Sequence, residues 1–311
     1  MYDKVRLWLP KMSNTPDITP HLERAKIQTD LDTGEVCAVG YLDCLKVLDH
    51  TGGYQIIGSM SKFFNGSNIF PLDRATTAQA LEKLADGLHC DCSIAKVTSL
   101  EFGTQFPMKK PVDEYLKKLG DMPRLLRYHF EVGTLYYKTR AKAQPKVFCF
   151  YDKNADAQAK GIVVPKGLDD ANLLKYEMRL NNRLPQQIGV PTVDASTLTE
   201  IKFYRMLVKM WQGSYFSISR KQQLKTSLMN EIKTVSDAYN AFVAILISQS
   251  DNSQIQAYMD ELKQAGVFTD RKNYTRLKNK IMDIANMAKL SISDDDIKEL
   301  DEGIRNAGAY V

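Results

Sequence analysis

No stretch of about 18 uncharged apolar residues occurs in the 311-residue chain, which excludes a membrane-spanning helix. Histidine is scarce. His21, His50, His89 and His129 stand far apart, and no His-x-His pair exists to share a metal. Cysteine is scarce too. Cys37, Cys44, Cys90, Cys92 and Cys149 are odd in number and scattered, which argues against a disulfide framework. Cys90 and Cys92 are only two apart, unlike the usual spacing of a zinc knuckle. Reduced, mostly buried thiols are the expectation. The opening MYDKVRLWLPKM has charges on both sides of a very short apolar stretch. It lacks the apolar core and small-residue cleavage site of a signal peptide. A cytoplasmic protein with no membrane partner is expected. There is no internal repeat and no low-complexity tract.

The length predicts about two domains with ample chain to bury a core. Net charge is +5 and the isoelectric point is near 8.7, a mildly basic balance compatible with nucleic acid. Its distribution is more telling. Between Ile201 and Lys280 there are 13 Lys and Arg against 6 Asp and Glu. Acids then collect at Asp294, Asp295, Asp296, Glu299, Asp301 and Glu302. Such a basic stretch suits a polyanion-binding surface, and equally a solvated helical face.

Texture changes near residue 195. Before it, short runs rich in Val, Ile, Tyr and Phe lie between glycines and prolines. Glu35–Leu48 and Tyr54–Met60 read as a hairpin around His50–Gly53. Ala75–Asp86 reads as a helix stopped by Gly87, and Val112–Leu119 as a short helix ending at Gly120. Cys92–Phe106, Leu125–Lys138, Lys146–Asp152 and Leu173–Asn181 read as strands. After residue 195, Thr197–Trp211, Arg220–Ser248, Ser253–Ala265, Tyr274–Leu290 and Asp294–Asn306 carry helical spacing. The expected fold is α+β, with a mainly antiparallel sheet, helices on one face and an all-helical C-terminal region. Residues 1–195 and 196–311 are the expected domains.

Three strands carry polar chemistry. Alternation puts Glu101, Gly103 and Gln105 on one face, with Leu100, Phe102 and Phe106 on the other. Lys175, Glu177 and Arg179 likewise oppose Leu174, Tyr176, Met178 and Leu180. Tyr151 ends the apolar run Val147–Phe150 and is followed by Asp152 and Lys153. Together these supply what tyrosine-mediated strand transfer needs. A phenol oxygen can attack a phosphodiester and become a covalent phosphotyrosine. Carboxylates can hold a divalent cation that polarises the phosphate. Lys138, Arg140, Lys142 and Lys153 can orient it. Each piece also has an ordinary structural counterpart, since tyrosine favours strands and Glu between Lys and Arg makes a surface charge ladder.

The wording and order of these segments resemble rolling-circle replication initiators. Gly133–Arg140, then Phe150-Tyr151-Asp152-Lys153, then Lys175–Leu180 is similar to the pT181-type plasmid initiators and their relaxase cousins. Their pattern is a "tyr-phe-gly-x-arg" strand, an "ile-tyr-asn-lys" strand and an "arg-val-glu-ile-glu-leu" strand. A further "leu-asp-leu-ala-phe-asp-phe" strand falls on Leu100–Phe106. Gly58–Ile69 resembles the "gly-ser-leu-x-lys-phe-x-asn-gly-his-asn" segment of filamentous-phage gene II/X proteins. The resemblance spans roughly residues 35 to 190. It implies a nicking core of the HUH-like kind with Tyr151 as nucleophile and Arg140 and Lys153 steadying the phosphate. It also implies Mg²⁺ or Mn²⁺ held by Glu101, Glu177 and the residue at 105. Departures are plain. Gln105 replaces an acid, Ser67 stands where the phage proteins have His, and Lys138-Thr139-Arg140 replaces a glycine-containing element. The paired-histidine metal site of other rolling-circle enzymes is not written here; a single histidine such as His129 could still be a ligand, or have a structural or surface role.

The implied function is initiation of rolling-circle replication on a plasmid or phage. Tyr151 nicks one strand at the origin, leaves a 3′-hydroxyl to prime synthesis, and later rejoins the strand. Implied partners are origin DNA, a host helicase and a host polymerase. The helical region would contribute DNA recognition or homodimer contacts. A mobilisation relaxase would use the same chemistry, while an initiator that only binds and melts its origin would not need Tyr151. Tyr136 and Tyr137 are the alternative nucleophiles.

Overall fold

Within the first 180 residues, segments of alternating apolar and polar residues pair into one ten-stranded sheet, in the order β2-β3-β4-β5-β1-β6-β10-β9-β8-β7, in the computed structural model of the chain. The strands are β1 Tyr2–Pro10, β2 Glu23–Thr29, β3 Val36–Leu42, β4 Leu45–His50, β5 Gly53–Ser59, β6 Lys96–Met108, β7 Leu126–Phe130, β8 Thr134–Lys138, β9 Lys146–Asp152 and β10 Asn172–Leu180. Every pairing is antiparallel. The structure describes all residues except 14, 30, 31, 33, 35, 131–132, 141–144, 222–231, 249–251, 292–294 and 308–311. Lys142 and parts of the expected Arg220–Ser248 and Asp294–Asn306 helices lie outside the described residues.

The sheet is finer than the periodicity implies. The run expected as one strand over 35–48 is β3 and β4, joined by a tight turn in which Asp43 takes a φ of +51°. The run expected over 125–138 is β7 and β8, folded back at Gly133 with a φ of +65°. Left-handed backbone at one residue reverses a chain without interrupting its apolar alternation. β1 and β2 are further additions. β1 lies at the centre, between β5 and β6.

Helices α1 (Met60–Asn65), α2 (Arg74–Leu88), α3 (Val112–Lys118), α4 (Lys153–Ala159) and α5 (Leu184–Ile188) punctuate the strands. α2 begins with a capping box, in which the Asp73 and Thr76 side chains each accept from the other residue's backbone N–H, which fixes its first turn. α6 (Ile201–Phe216) lies on the apolar face of the sheet. Its Trp211 ring stacks on Tyr176 at 4.8 Å, and Tyr176 stacks on Phe150 at 4.3 Å. The Tyr176 hydroxyl donates to the Trp211 carbonyl. Tyr204 meets Tyr2 and Phe102 edge-on. The aromatic wall leaves the opposite face of β6, β10 and β9 to polar side chains.

Two compact units form: Met1–Ser219 with the segment from Glu299 onward, and Arg220–Lys298. The division expected near residue 195 falls later, because α6 buries Phe203, Leu207, Trp211 and Tyr215 with the sheet. The chain also returns. In the last helix, Asp295–Asn306, Asp301 accepts from Tyr215 at 2.7 Å and the Ile304 carbonyl accepts from Gln212 at 2.9 Å. Ser219 bonds to Gly120 and Asp121, just beyond α3, and Glu299 accepts from Tyr115 of α3. The other unit contains α7 (Val235–Ser248), α8 (Asn252–Gln264) and α9 (Arg271–Ser291). Among the described residues no helix is long and apolar enough to cross a membrane, and all five cysteines are free. Truncating Trp211 to alanine removes the ring joining α6 to the sheet. The expected loss is about 3–5 kcal/mol, read from the midpoint and slope of urea denaturation.

Candidate active site

Register assembles one polar row across the sheet. Arg179 lies opposite Glu101, Glu177 opposite Gly103, and Lys175 opposite Gln105. On the other edge of β10, Lys175 lies opposite Tyr151 and Glu177 opposite Cys149. Tyr151 then lies opposite Thr134, and Cys149 opposite Tyr136. Glycine is required at 103. A Cβ there would stand 2.2 Å from the Tyr176 carbonyl oxygen and 2.9 Å from the Glu177 Cβ, so β6 and β10 approach closely beneath the Glu177 carboxylate.

Asp3 joins from β1. One carboxylate oxygen each of Asp3, Glu101 and Glu177 lies within 4.8 Å of the others. The Ser59 hydroxyl, which caps α1, donates to Asp3 at 2.6 Å. The ammonium of the fully buried Lys175 pairs with Asp3 at 3.6 Å. Arg179 grips Glu177 through Nε at 2.6 Å and Nη2 at 2.5 Å, and its Nε lies 3.8 Å from Glu101. The Tyr151 hydroxyl donates to Glu177 at 3.2 Å. Tyr151 lines an open cleft of about 370 Å³ with Thr134, Tyr136, Asp156, Lys160 and Arg179.

Burial and crowding set the proton affinities. Burial, then the Glu177 charge, lifts Glu101 to about 7. Burial and the same carboxylate push the Tyr151 phenol well above its usual value, so the hydroxyl holds its proton at rest. Burial, and next the Lys175 charge, lowers Lys153. The carboxylates hold Arg179 firmly charged although burial opposes it. Burial and a neighbouring carboxylate both disfavour the charged form of Glu101, and a bound cation would favour it. Three hard oxygen donors fit Mg²⁺ or Mn²⁺.

Tyr151, Glu101 and Glu177 are therefore brought together. Gln105 shares their face, but its amide donates to the Ile69 carbonyl, and Asp3 supplies the third carboxylate instead. Lys153 is buried beside the site, with its ammonium on Asn68 at 3.3 Å and Asp156 at 3.5 Å. Arg140 is exposed beyond the end of β8, and the guanidinium lining the cleft is that of Arg179. His129 lies on the opposite, apolar side, with its ring on Asp113 of α3 at 3.1 Å. Tyr137 is fully buried and donates to the Gly120 carbonyl. Tyr136 faces the cleft. Sequence reasoning missed Asp3 and the role of Arg179. Alternating Val5, Leu7 and Leu9 were the available signal for β1. The 58–69 segment gave another, since its Ser59 and Asn68 hold Asp3 and Lys153.

No protein-family profile matches the chain, and no match was found among curated proteins. Among solved structures, the chain is similar to a rolling-circle replication initiator protein from Geobacillus stearothermophilus. The identity is 12%, the coverage 73% of this chain and 88% of that one, and the TM-score 0.40.

The raised Glu101 value has a testable sign. Between about pH 4.5, the ordinary carboxyl value, and about pH 7 the folded state keeps a proton that the unfolded state has released. Stability of the metal-free protein is expected to fall as pH rises through that window, by on the order of 2 kcal/mol. Urea denaturation in a chelator at pH 4.5 and 7.5 measures it. Glu101→Gln should flatten the dependence.

Proposed function

We propose that the chain initiates rolling-circle replication by nicking one DNA strand with Tyr151. The observation carrying this reading is the Tyr151 hydroxyl on Glu177 at 3.2 Å, within a three-carboxylate cluster at the edge of an open cleft. A phenol with so high a proton affinity is inert until a base receives its proton. Glu177 is already the acceptor of that hydrogen bond. As the proton passes to Glu177, the phenolic oxygen forms a bond to phosphorus and the bond from phosphorus to the 3′-oxygen breaks. The products are a 5′-phosphotyrosine and, once the 3′-oxygen takes a proton from water, a free 3′-hydroxyl. The reverse attack rejoins the strand.

Arg179 acts twice in this scheme. It fixes the Glu177 carboxylate, and as a cleft-lining guanidinium it can offer N–H donors to phosphate oxygens. Lys175 balances Asp3 behind the tyrosine, and Lys153 stiffens the base of the site through Asn68. Asp3, Glu101 and Glu177 would hold Mg²⁺ or Mn²⁺, which when bound would polarise the scissile phosphate and offset its developing charge. The basic stretch between Ile201 and Lys280 suits contact with the phosphates of origin DNA.

The experiment is incubation with a supercoiled plasmid carrying the cognate origin region and Mg²⁺ or Mn²⁺, followed by denaturation. A nicked circle with protein on the 5′ end is expected, and mass spectrometry should map the adduct to Tyr151. Tyr151→Phe should form none. Glu177→Gln should slow adduct formation by about 10²–10⁴-fold, the range for loss of a general base. An adduct that survives Tyr151→Phe, or one mapped to Tyr136, would overturn the assignment.

A further inference from the structure

The outermost hairpin of the sheet, β7–β8, carries aromatic rings that the scheme above leaves unused. Tyr128 lies opposite Tyr136, Phe130 opposite Thr134, and Leu126 opposite Lys138. Because Thr134 and Tyr136 lie opposite Tyr151 and Cys149, Tyr128, Phe130 and Tyr136 project from the nucleophile's face. Phe130 is 47% exposed, and its ring meets Tyr136 edge-on at 6.0 Å. Cations accompany the rings. The Lys138 ammonium stands 4.9 Å from the Tyr128 ring centre and 5.7 Å from that of Tyr136, and the Arg179 guanidinium stands 5.9 Å from the latter. Tyr136 and Arg179 also line the cleft beside Tyr151, so the patch runs into the site without a break. The acids there are committed: Asp152 caps α4 and Asp156 pairs with Lys160.

We infer that this hairpin face is a stacking platform for unpaired nucleobases, seating a single strand beside the phosphate that Tyr151 reaches. A ligand matched to flat apolar rings interleaved with fixed positive charge is itself flat-faced and polyanionic. Single-stranded nucleic acid has both properties, and base-on-aromatic stacking is tolerant of sequence. A duplex does not fit, because its base faces are already covered by their neighbours. Phe130 sits two strands from Tyr151, about 10 Å at ordinary strand spacing, which places a stacked base close to the scissile position. The inference rests on the nicking reading for its substrate, and it explains how a strand would be held open at the tyrosine.

The test separates the two. Binding is measured on the Tyr151→Phe protein, which cannot form an adduct, with fluorescently labelled dT12, the same oligomer stripped of its bases, and a dT12·dA12 duplex. Expected is tighter binding of dT12 than of either control. Adding Phe130→Ala should weaken dT12 about tenfold, within the usual range for loss of one stacked base, while leaving the stripped oligomer unchanged. Phe130→Trp should retain dT12 affinity. Phe130 is exposed, and unchanged urea denaturation will show that its variants fold. Equal losses for dT12 and the stripped oligomer would reduce the patch to general polyanion attraction and overturn the proposal, as would unchanged dT12 affinity in Phe130→Ala. If the wild type never nicks DNA yet the dT12 pattern holds, the nicking reading fails and the platform stands.

Discussion

Three carboxylates from strands far apart in the chain are forced to share one patch of sheet, and their mutual repulsion governs what surrounds them. Without help, like charges this close expel one another or take up protons. Here the help comes from side chains that are themselves costly to bury. Arg179 clamps Glu177, Lys175 lies against Asp3 in the interior, and Ser59 turns its hydroxyl onto the same Asp3 carboxylate. Glu101, buried and next to the Glu177 charge, holds its proton toward neutrality. Buried charges arranged this way contribute little to stability by themselves. They are sustained by the packing beneath them, where Phe150, Tyr176 and Trp211 form a continuous stack.

That division of labour follows from strand alternation. Each of β6, β9 and β10 sends one set of side chains to the aromatic wall and the other to the acidic patch. The same residues that build the core therefore aim the chemistry. Tyr176 is in the stack and its neighbours Lys175 and Glu177 are in the site. The bond Tyr151 makes to Glu177 crosses one strand boundary, and its geometry is only as good as the register between β9 and β10. The close approach at Gly103, where β6 and β10 meet beneath Glu177, fixes the neighbouring boundary.

Alternation within a strand is local, so it is legible in the sequence. Glu101 and Glu177 could be assigned to polar faces from spacing alone, whereas Tyr151 ends a run that is apolar on both faces and was singled out by resemblance. What spacing does not contain is which strands become neighbours. Asp3 reaches Glu101 because β1 pairs with β6 across some ninety residues of chain, and no short window encodes that pairing. Its segment was weighed only as a signal peptide, although Val5, Leu7 and Leu9 alternate as a half-buried strand should. Arg179 read as one rung of a charge ladder, and only the fold shows it holding Glu177. The turns at Asp43 and Gly133 escaped for a related reason: a single left-handed residue folds a strand in two while its apolar rhythm runs on. The domain boundary was drawn where strands give way to helices, whereas α6 is bound to the sheet by its aromatic side.

The return of the last helix has a topological consequence. The chain leaves the sheet unit after Ser219, bonded to Gly120, and re-enters it at Glu299, which accepts from Tyr115. Both gateposts stand at α3 or immediately beyond it. The intervening stretch, roughly 80 residues from Arg220 to Lys298, is thus an insert with adjoining ends rather than a tail. The entropy of closing such a loop grows only logarithmically with its length, by about 0.6 kcal/mol per doubling. A cassette hung on that doorway could be exchanged or resized over generations with little strain on the frame around it.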